Sequence, residues 1–274
     1  MGVFKVACLQ VNASNDMAAN IAVASDFTRR AVAEGANFVL MPENVSMMEW
    51  GRANIIAKSQ SEESHAALAA FRALAKELNI WLHCGSLSMR LPGDKIANRT
   101  YVISPAGEIV AKYDKIHMFD VDLGNGESYR ESATFASGDA AVTVDLPWGK
   151  LGLAICYDLR FPHLFRHLAQ AGADFLTVPS AFTQVTGEAH WHILLRARAI
   201  ETGCFVFAPA QTGTHAGERK TFGHALIVAP WGEVLADAGT TPGYILASID
   251  PAEVAKARAK IPALGLNAAF SPAS

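Results

Sequence analysis

The sequence predicts an α/β fold, a four-layer α-β-β-α sandwich with an internal pseudo-two-fold repeat. Strand-like runs at residues 4–9, 37–41 and 80–87 alternate with helix-like runs at residues 17–34 and 64–78, an order typical of βαβ units. The same order recurs in the second half of the chain. Two lobes that each carry helices on one face of a sheet can bury their bare sheet faces against each other, which gives four layers.

Two pairs of similar segments support the repeat. Residues 35–43 (GANFVLMPE) match residues 172–180 (GADFLTVPS), with Gly, Ala, Phe and Pro at equal spacing. Residues 103–111 match residues 228–236, and both segments are predicted to be β-hairpins whose turns carry Pro and Gly. Because no linker rich in Gly, Ser or Pro separates the halves, we predict a single domain over residues 1–274.

The later elements follow from local signals. Residues 150–156 form an apolar strand up to Cys156, and Pro162 is suited to the first position of a helix. Residues 250–260 predict a capped helix. The tail over residues 261–274 carries no charged residue and has no clear period.

Composition and charge narrow the class of partner. Hydrophobic residues make up 51% of the chain and charged residues 18%, against roughly 25% charged residues in ordinary soluble domains. We therefore expect part of the surface to be covered in a homodimer or larger homo-oligomer. The net charge is −3 and lysines and arginines do not cluster, which argues against nucleic acid and anionic membranes as partners. No run of about 18 apolar residues predicts a membrane span.

The four cysteines are of two kinds. Cys8, Cys84 and Cys204 lie inside apolar runs and are predicted to be small buried side chains. Cys156 differs, because polar residues follow it directly where the strand ends, and a thiol in that position is placed for chemistry. Scattered cysteines and an N-terminus without a signal-peptide pattern predict reduced thiols and a cytoplasmic location.

A cysteine nucleophile needs a base for its proton and a positive group for the charge that develops on the substrate. Glu43 is the candidate base, because it follows a buried strand where the repeat has Ser180, so the scaffold does not require a carboxylate there. A solvated loop glutamate is the alternative. Lys115 follows the first hairpin, and taken alone it is an ordinary surface lysine.

Three segments together resemble the signatures of the nitrilase superfamily, the carbon-nitrogen hydrolases. They are MPE ending at Glu43, KYDKIHMFD around Lys115, and GLAICYDLRFP around Cys156. They occur in the family's order, and the resemblance extends over nearly the whole chain. It implies an α-β-β-α sandwich with a Glu-Lys-Cys triad. Glu131, in YRES, matches a second glutamate that lies near the cysteine in these enzymes, for which substrate positioning is the expected role.

The resemblance also implies a mechanism without a cofactor or a metal. Glu43 takes the proton of Cys156, whose sulfur attacks an amide carbonyl, while Lys115 and the backbone N–H of Tyr157 stabilise the oxyanion. Ammonia leaves and a thioester remains. Water activated by Glu43 then hydrolyses the thioester to the acid.

The residues after the cysteine indicate the branch. CYDLRFP is similar to omega-amidases and deaminated-glutathione amidases, whereas a nitrilase proper is expected to have Cys-Trp-Glu. The run at residues 210–224 (AQTGTHAGERKTFGH) is closer to the deaminated-glutathione amidases. We therefore expect deaminated glutathione as the substrate. A small omega-amide such as alpha-ketoglutaramate is the alternative.

Both substrates carry carboxylates, which a planar arginine side chain binds well. Arg160 is the candidate anchor, and an internal salt bridge to Asp158 or Glu201 is its alternative. Four further residues are proposed as walls of the substrate pocket, although each of them is expected to pack in the core first: Phe119, Tyr157, Phe182 and Thr186.

Three competing interpretations remain open. His163 and His167 stand four residues apart on a predicted helix, as in some metal hydrolases, but the chain has no HExxH motif. His117, two residues after Lys115, is a possible partner for a Cys-His dyad. A binding or scaffold protein that kept the fold without turnover is the third, and the intact triad argues against it.

The C-terminus departs from the family pattern. It ends GLNAAFSPAS and lacks the Arg-rich, Tyr-containing ending common in this branch. In the family this end packs near a subunit contact. We therefore expect the tail, residues 261–274, at a subunit contact.

Overall fold

The computed structural model describes residues 2–93, 95–124, 127–269 and 271. The first group of strands is β1 (Phe4–Val11), β2 (Phe38–Leu40), β3 (Trp81–His83), β4 (Leu87–Arg90), β5 (Ile96–Ile103), β6 (Ile109–Asp114), β7 (Asp120–Gly124), β8 (Glu127–Arg130) and β9 (Phe135–Ala136). The second is β10 (Thr143–Leu146), β11 (Gly149–Leu153), β12 (Phe175–Thr177), β13 (Phe205–Ala208), β14 (Ala210–Thr214), β15 (Lys220–Phe222), β16 (Leu226–Val228), β17 (Val234–Asp237) and β18 (Gly243–Ile249). The helices are α1 (Met17–Ala33), α2 (Arg52–Lys58), α3 (Ala66–Leu78), α4 (Pro162–Gln170), α5 (Gln184–Thr202) and α6 (Ala252–Lys260).

Two sheets repeat one topology. In the first sheet β1, β2 and β3 are parallel, β5 and β6 follow as an antiparallel hairpin, and β18 pairs antiparallel with β1. In the second sheet β11, β12 and β13 are parallel, β16 and β17 form the hairpin, and β10 pairs antiparallel with β11. The predicted pseudo-two-fold repeat is therefore confirmed, and both predicted hairpins are present.

Side chains of β1 show how the layers are built. Successive residues of a strand point to opposite faces of the sheet. Val6 and Cys8 belong to a core cluster that contains residues of both sheets, whereas Ala7 and Leu9 pack in a second cluster with residues of α1 and α3. One face of the first sheet thus meets the second sheet, and its other face meets helices.

The second sheet completes the sandwich. The ring of Phe38 on β2 lies 6.4 Å from the ring of Phe207 on β13, so the two sheets are in direct contact. On the far side α4 contacts β11, and α5 contacts β13. Large apolar side chains of this helical layer, such as Trp191 and Leu195, are buried in the core cluster that includes the second sheet. The predicted order of helix, sheet, sheet and helix is confirmed.

One predicted strand was wrong in its extent. The apolar run at residues 80–87 does not form one strand, because β3 ends at His83 and β4 starts at Leu87. Between them Gly85 has a φ of +60° and packs directly against the carbonyl oxygens of Met41 and Pro42. The run is apolar because the bend is buried. The bend also packs against Met41 and Pro42, the two residues that lie between β2 and Glu43.

The helices begin and end close to the predicted positions. The carboxylate of Asp16 caps α1 by accepting hydrogen bonds from the N–H groups of Ala18 and Ala19 at 2.9 and 3.1 Å. Pro162 opens α4 as expected. No helix of the described residues is long and apolar enough to cross a bilayer.

The start of the tail folds back along α4. Arg166 donates hydrogen bonds to the backbone oxygens of Leu264 and Leu266 at 3.2 and 3.0 Å. Its Nη2 also lies 2.8 Å from Asn267 Oδ1. Residues 270 and 272–274 of the predicted tail lie outside the described part of the chain.

Candidate active site

Strand ends bring three predicted side chains to one place. Glu43 follows β2, Lys115 directly follows β6, and Cys156 follows β11. In sheets with parallel strands, the carboxyl ends meet along one edge, where such folds place their sites. All three side chains line a single cavity of about 370 Å³.

Cys156 sits at a sharp turn. Its φ of +48° lies in the left-handed region that non-glycine residues seldom adopt, and a 3₁₀ turn over Cys156–Arg160 follows. The backbone N–H of Cys156 is held by the carbonyl oxygen of Pro179 at 3.0 Å. Strain of this kind is kept where the surroundings fix it, and here it turns the sulfur out of the sheet towards the cavity.

Glu43 has all of its carboxylate hydrogen bonds inside the protein. Oε1 accepts from Asn98 Nδ2 at 2.9 Å and from Lys115 Nζ at 3.2 Å. Oε2 accepts from the N–H of Ala181 at 2.8 Å. The thiol of Cys156 is close enough to this carboxylate to help lower its pKa. At 3% exposure, Glu43 is not the solvated loop glutamate of the alternative interpretation.

Lys115 lies between two carboxylates. Its Nζ contacts Glu131 Oε2 at 2.8 Å and Oε1 at 3.0 Å, in addition to Glu43. Glu131 Oε2 also accepts the N–H of Phe119 at 2.6 Å. Lys115 is 2% exposed, so the ordinary surface position is excluded for it.

The pKa shifts of these groups share one origin. Burial alone would raise the pKa of Glu43, but the Lys115 charge and the nearby thiol of Cys156 hold it below the usual carboxyl value. Burial also opposes the charge on Lys115, yet Glu131 and Glu43 raise its pKa above the usual value. Burial and the Glu43 charge raise the pKa of Cys156. The resting site therefore holds a carboxylate, an ammonium and a neutral thiol.

Asp158 connects the cysteine turn to the lysine segment. Its Oδ2 accepts the hydroxyl of Tyr113 at 2.6 Å and the N–H of Ile155 at 2.9 Å. Its Oδ1 accepts the N–H of His117 at 3.0 Å and lies 2.7 Å from the ring Nδ1. The imidazole of His117 also stacks on Phe161, with centroids 3.5 Å apart. These contacts give His117 a structural place and argue against the Cys-His dyad.

Every residue named as a pocket wall lines the same cavity, together with Glu131 and Arg160. The ring of Phe119 packs at 5.0 Å from the ring of Tyr157. Phe182 packs at 4.8 Å from Trp191, and the hydroxyl of Thr186 lies 2.9 Å from that of Thr183. Phe182 and Thr186 are thus buried, whereas Phe119 and Tyr157 are partly exposed, and all four line the cavity.

Arg160 does not form either of the internal salt bridges considered for it. Asp158 is occupied as described, and Glu201 pairs with another arginine at 2.9 Å. The guanidinium instead lies 5.2 Å from the ring centroid of Phe182 and 3.3 Å from His190 Nδ1. Among the described residues, no carboxylate is within ion-pair distance of Arg160. This leaves the guanidinium at the cavity wall for a ligand.

Sequence reasoning missed three residues of this site. Asn98 bridges Glu43 and Glu131, with its Nδ2 at 2.9 and 3.3 Å from their oxygens. Asp158 was considered only as a partner of Arg160. Arg219 lines the cavity although it is far along the chain. A signal existed for Arg219, which lies in the segment assigned to the branch, but none existed for Asn98, which is one of the polar residues within strand β5.

Three side chains outside the cavity of Cys156 could together hold a metal ion. Among the described residues, His192, His224 and Asp237 are the group whose ligand atoms lie close enough together for one ion, all within 4.8 Å of one another. Both histidines hydrogen-bond to Asp237 at 2.9 Å, and none of the three lines the cavity of Cys156. The pair His163 and His167 is not part of this group.

Comparison with known proteins shows the family to which the chain belongs. The model of the carbon-nitrogen hydrolase family matches residues 5–259. A deaminated glutathione amidase of Synechocystis sp. strain PCC 6803 is 39% identical over 265 residues, which cover 95% of this chain and 97% of the relative. Similar relatives of the same name come from bacteria and eukaryotes.

Solved structures agree. The NitFhit protein of C. elegans superposes with a TM-score of 0.90 at 35% identity, covering 97% of this chain and 65% of that one. Nit3 of Saccharomyces cerevisiae, a member of branch 10 of the nitrilase superfamily, has a TM-score of 0.85 at 30% identity, covering 95% and 94%. The chain therefore belongs to the carbon-nitrogen hydrolase family and is a hydrolase of carbon-nitrogen bonds other than peptide bonds.

Proposed function

We propose that this chain is a cysteine amidase whose substrate is deaminated glutathione. The observation that carries the proposal is the buried contact of Glu43 with both Lys115 and Cys156 at the cavity wall. The names of the relatives, which are deaminated glutathione amidases, support the substrate.

The resting protonation state suits the first step. A neutral thiol close to a carboxylate can pass its proton to Glu43 as the sulfur attacks the amide carbonyl, so no free thiolate has to exist beforehand. The ammonium of Lys115 and the backbone N–H of Tyr157 stabilise the oxyanion. Because the Lys115 ammonium is buried and already oriented, it interacts with that charge more strongly than it would in water.

The amine then leaves with the proton held by Glu43, and a thioester remains on Cys156. Glu43 takes a proton from the incoming water, which hydrolyses the thioester and restores the thiol. With deaminated glutathione the leaving amine is a dipeptide. Ammonia, the product expected from the sequence, is released only from primary amides such as alpha-ketoglutaramate.

Glu131 has a positioning role in this scheme. Its two oxygens are engaged by Lys115 and by the N–H of Phe119. It therefore fixes the ammonium opposite Glu43 and holds the segment that carries Phe119 at the cavity wall. A carboxylate occupied in this way orients the lysine rather than exchanging a proton with the substrate.

Arg160 anchors the acyl-side carboxylate of the substrate. Its guanidinium is four residues from the nucleophile and rests against the rings of Phe182 and Tyr157, with centroids at 5.2 and 5.9 Å. Stacking keeps the planar group oriented while its N–H groups remain available for a carboxylate.

Kinetics with two substrates test the proposal and its alternative. The purified protein is expected to hydrolyse deaminated glutathione with a higher kcat/KM than alpha-ketoglutaramate. A higher value for alpha-ketoglutaramate would make the chain an omega-amidase. Turnover of neither compound, nor of a panel of other omega-amides, would favour the scaffold interpretation.

We also propose that the chain acts as one domain and assembles with copies of itself. Both sheets share one core cluster, which favours a single domain. On α5 three large apolar side chains are more than half exposed, at spacings of eight and seven residues that put them on one helix face: Val185, Ile193 and Ile200. We expect this face of α5 and the tail to form the subunit contact. The expected location of the protein is the cytoplasm.

A further inference from the structure

A second cavity adjoins the one that holds Cys156. It has a volume of about 390 Å³ and shares four residues with the first, Trp50, Ser128, Tyr129 and Arg219. No step described so far uses it. Resting on the proposed function, we propose that Arg219, at the junction of the two cavities, binds a carboxylate on the amine side of the scissile amide. Arg160 and Arg219 then hold two different carboxylates of one substrate.

Arg219 has hydrogen-bonding capacity left for a ligand. A guanidinium carries five N–H donors. In Arg219, Nη2 donates to the carbonyl oxygen of Ala181 at 2.7 Å, and the guanidinium carbon lies 5.4 Å from the ring centroid of Tyr129. Nε is buried and finds no hydrogen-bond partner among the described residues. Arg219 forms no ion pair with any of their carboxylates. Glu127 and Glu218 also line the second cavity, but neither forms an ion pair with Arg219. Its guanidinium is therefore suited to a carboxylate ligand.

The loop that carries Arg219 is held in place. The N–H of His215 donates to the carbonyl oxygen of Arg219 at 2.8 Å, and the His215 ring bonds to Ala13 and Thr221 at 2.8 and 2.7 Å. Between them Gly217 has a φ of +70°, and a Cβ there would overlap the ring of Trp50. The guanidinium is thus presented from a fixed loop, which lowers the entropy lost on binding.

The side of the reaction that Arg219 serves follows from Ala181. The N–H of Ala181 donates to Glu43 Oε2 at 2.8 Å, and its carbonyl oxygen accepts from Arg219. The Arg219 charge also contributes to the lowered pKa of Glu43. Glu43 is the group that returns the proton to the departing nitrogen. A substituent on that nitrogen therefore starts beside Glu43 and extends towards Arg219 and the second cavity, where Cys156 and Arg160 are not among the lining residues.

Attack of Cys156 on the amide releases the nitrogen as an amine. The Cys156 sulfur forms a bond to the carbonyl carbon, the carbon-nitrogen bond breaks, and the proton taken by Glu43 leaves on the nitrogen as a free amine. Deaminated glutathione carries one carboxylate on the acyl side and the glycine carboxylate on this amine. Alpha-ketoglutaramate has only the acyl-side carboxylate. Arg219 would accordingly discriminate between the two substrates, whereas Arg160 would serve both.

The test compares substrates on Arg219→Gln, Arg160→Gln and the wild type. For Arg219→Gln we expect kcat/KM for deaminated glutathione to fall by roughly tenfold or more, since a charged hydrogen-bond partner is lost, while the value for alpha-ketoglutaramate changes by less than about threefold. Arg160→Gln should lower both values. Arg29→Gln, at an exposed ion pair on α1, is the control for removing one positive charge.

A second arm needs no variant. The wild type is assayed with deaminated glutathione whose glycine carboxylate is replaced by a carboxamide, and kcat/KM should fall by roughly tenfold. Two results would overturn the inference and leave the proposed function intact. One is an equal kcat/KM for the acid and the carboxamide, and the other is an equal fall in kcat/KM for both substrates in Arg219→Gln. If the wild type hydrolyses neither natural substrate, the proposed function fails and the inference fails with it.

Discussion

The carboxylate of Asp158 accepts a 2.6 Å hydrogen bond from the hydroxyl of Tyr113. Tyr113 stands two residues before Lys115, and Asp158 stands two residues after Cys156. Both side chains are buried. The pair therefore fixes the segment of Lys115 relative to the turn of Cys156.

Replacing Asp158 with asparagine should weaken this connection. One carboxylate oxygen becomes an NH2 group, which donates and cannot accept. Either the hydrogen bonds from Tyr113 and Ile155 to one oxygen or those from His117 to the other are therefore lost. We expect the free energy of unfolding to fall by about 2–3 kcal/mol, since a buried charged partner is lost, and kcat to fall with it. Denaturant unfolding and kinetics measure both. The exposed Asp145 offers a matched change, and Asp145→Asn should stay within about 0.5 kcal/mol of the wild type.

The pH dependence of kcat/KM should be broad. Glu43 must be ionised and its pKa is lowered, so the acid limb is expected below the ordinary glutamate value of 4.5. Cys156 and Lys115 have raised pKa values, so the basic limb is expected above the ordinary cysteine value of 9.0. A basic limb well below the ordinary cysteine value would contradict this assignment of the protonation states.

Stability should follow the same two groups. The lowered pKa of Glu43 adds stability above its unfolded-state pKa, and this is lost as the pH falls through its folded-state pKa. The raised pKa of Lys115 adds stability below its unfolded-state pKa, and this is lost as the pH rises through its folded-state pKa. The midpoint temperature of thermal unfolding, measured across the pH range, should therefore show no change near neutral pH that is due to these groups.

Gly85 should tolerate no side chain. Its φ is +60°, and a Cβ would overlap the carbonyl oxygens of Met41 and Pro42 next to Glu43. We expect Gly85→Ala to lower the free energy of unfolding by more than about 3 kcal/mol. Gly93 also has a positive φ, +85°, but no described residue lies within 4 Å of where a Cβ would stand, so Gly93→Ala should cost about 1 kcal/mol. Similar losses in both variants would mean that backbone strain alone, without the overlap, sets the effect.

Assembly can be tested on the exposed face of α5. The side chain of Ile193 is 70% exposed, and a glutamate there should prevent burial against a second copy. Light scattering is expected to give a mass of two or more chains for the wild type and 29.2 kDa for Ile193→Glu. Val23→Glu, on the outer surface of α1, should leave the mass unchanged. A wild-type mass of 29.2 kDa would contradict the proposal.

The four layers of the fold, and the polar residues at the ends of its strands, could be predicted from the sequence. Alternation of strands and helices, and the matching segments around residues 35–43 and 172–180, predicted the repeat that both sheets display. The comparison of Glu43 with Ser180 pointed to a carboxylate that the scaffold does not need. Such signals are local or periodic, and for this reason they could be found in one chain.

Other features depend on contacts that no local pattern contains. The bend at Gly85 lies in an apolar run, and only the neighbouring Pro42 backbone explains it. Asn98 looks like an ordinary polar residue of a strand until the fold brings Glu43 and Glu131 to its amide. Arg219 reaches the cavity because its loop packs against Trp50, which is far away in sequence.

The chemical identity of the acyl-enzyme tests most directly whether Cys156 is the nucleophile. Wild type and Cys156→Ala are mixed with deaminated glutathione, quenched in acid within the first turnovers, digested with trypsin and examined by mass spectrometry. We expect an alpha-ketoglutaryl adduct on the wild-type peptide of residues 151–160, in which Cys156 is the cysteine, and neither adduct nor turnover for the alanine variant. An adduct on another residue, or turnover by Cys156→Ala, would contradict the role of Cys156 as the nucleophile.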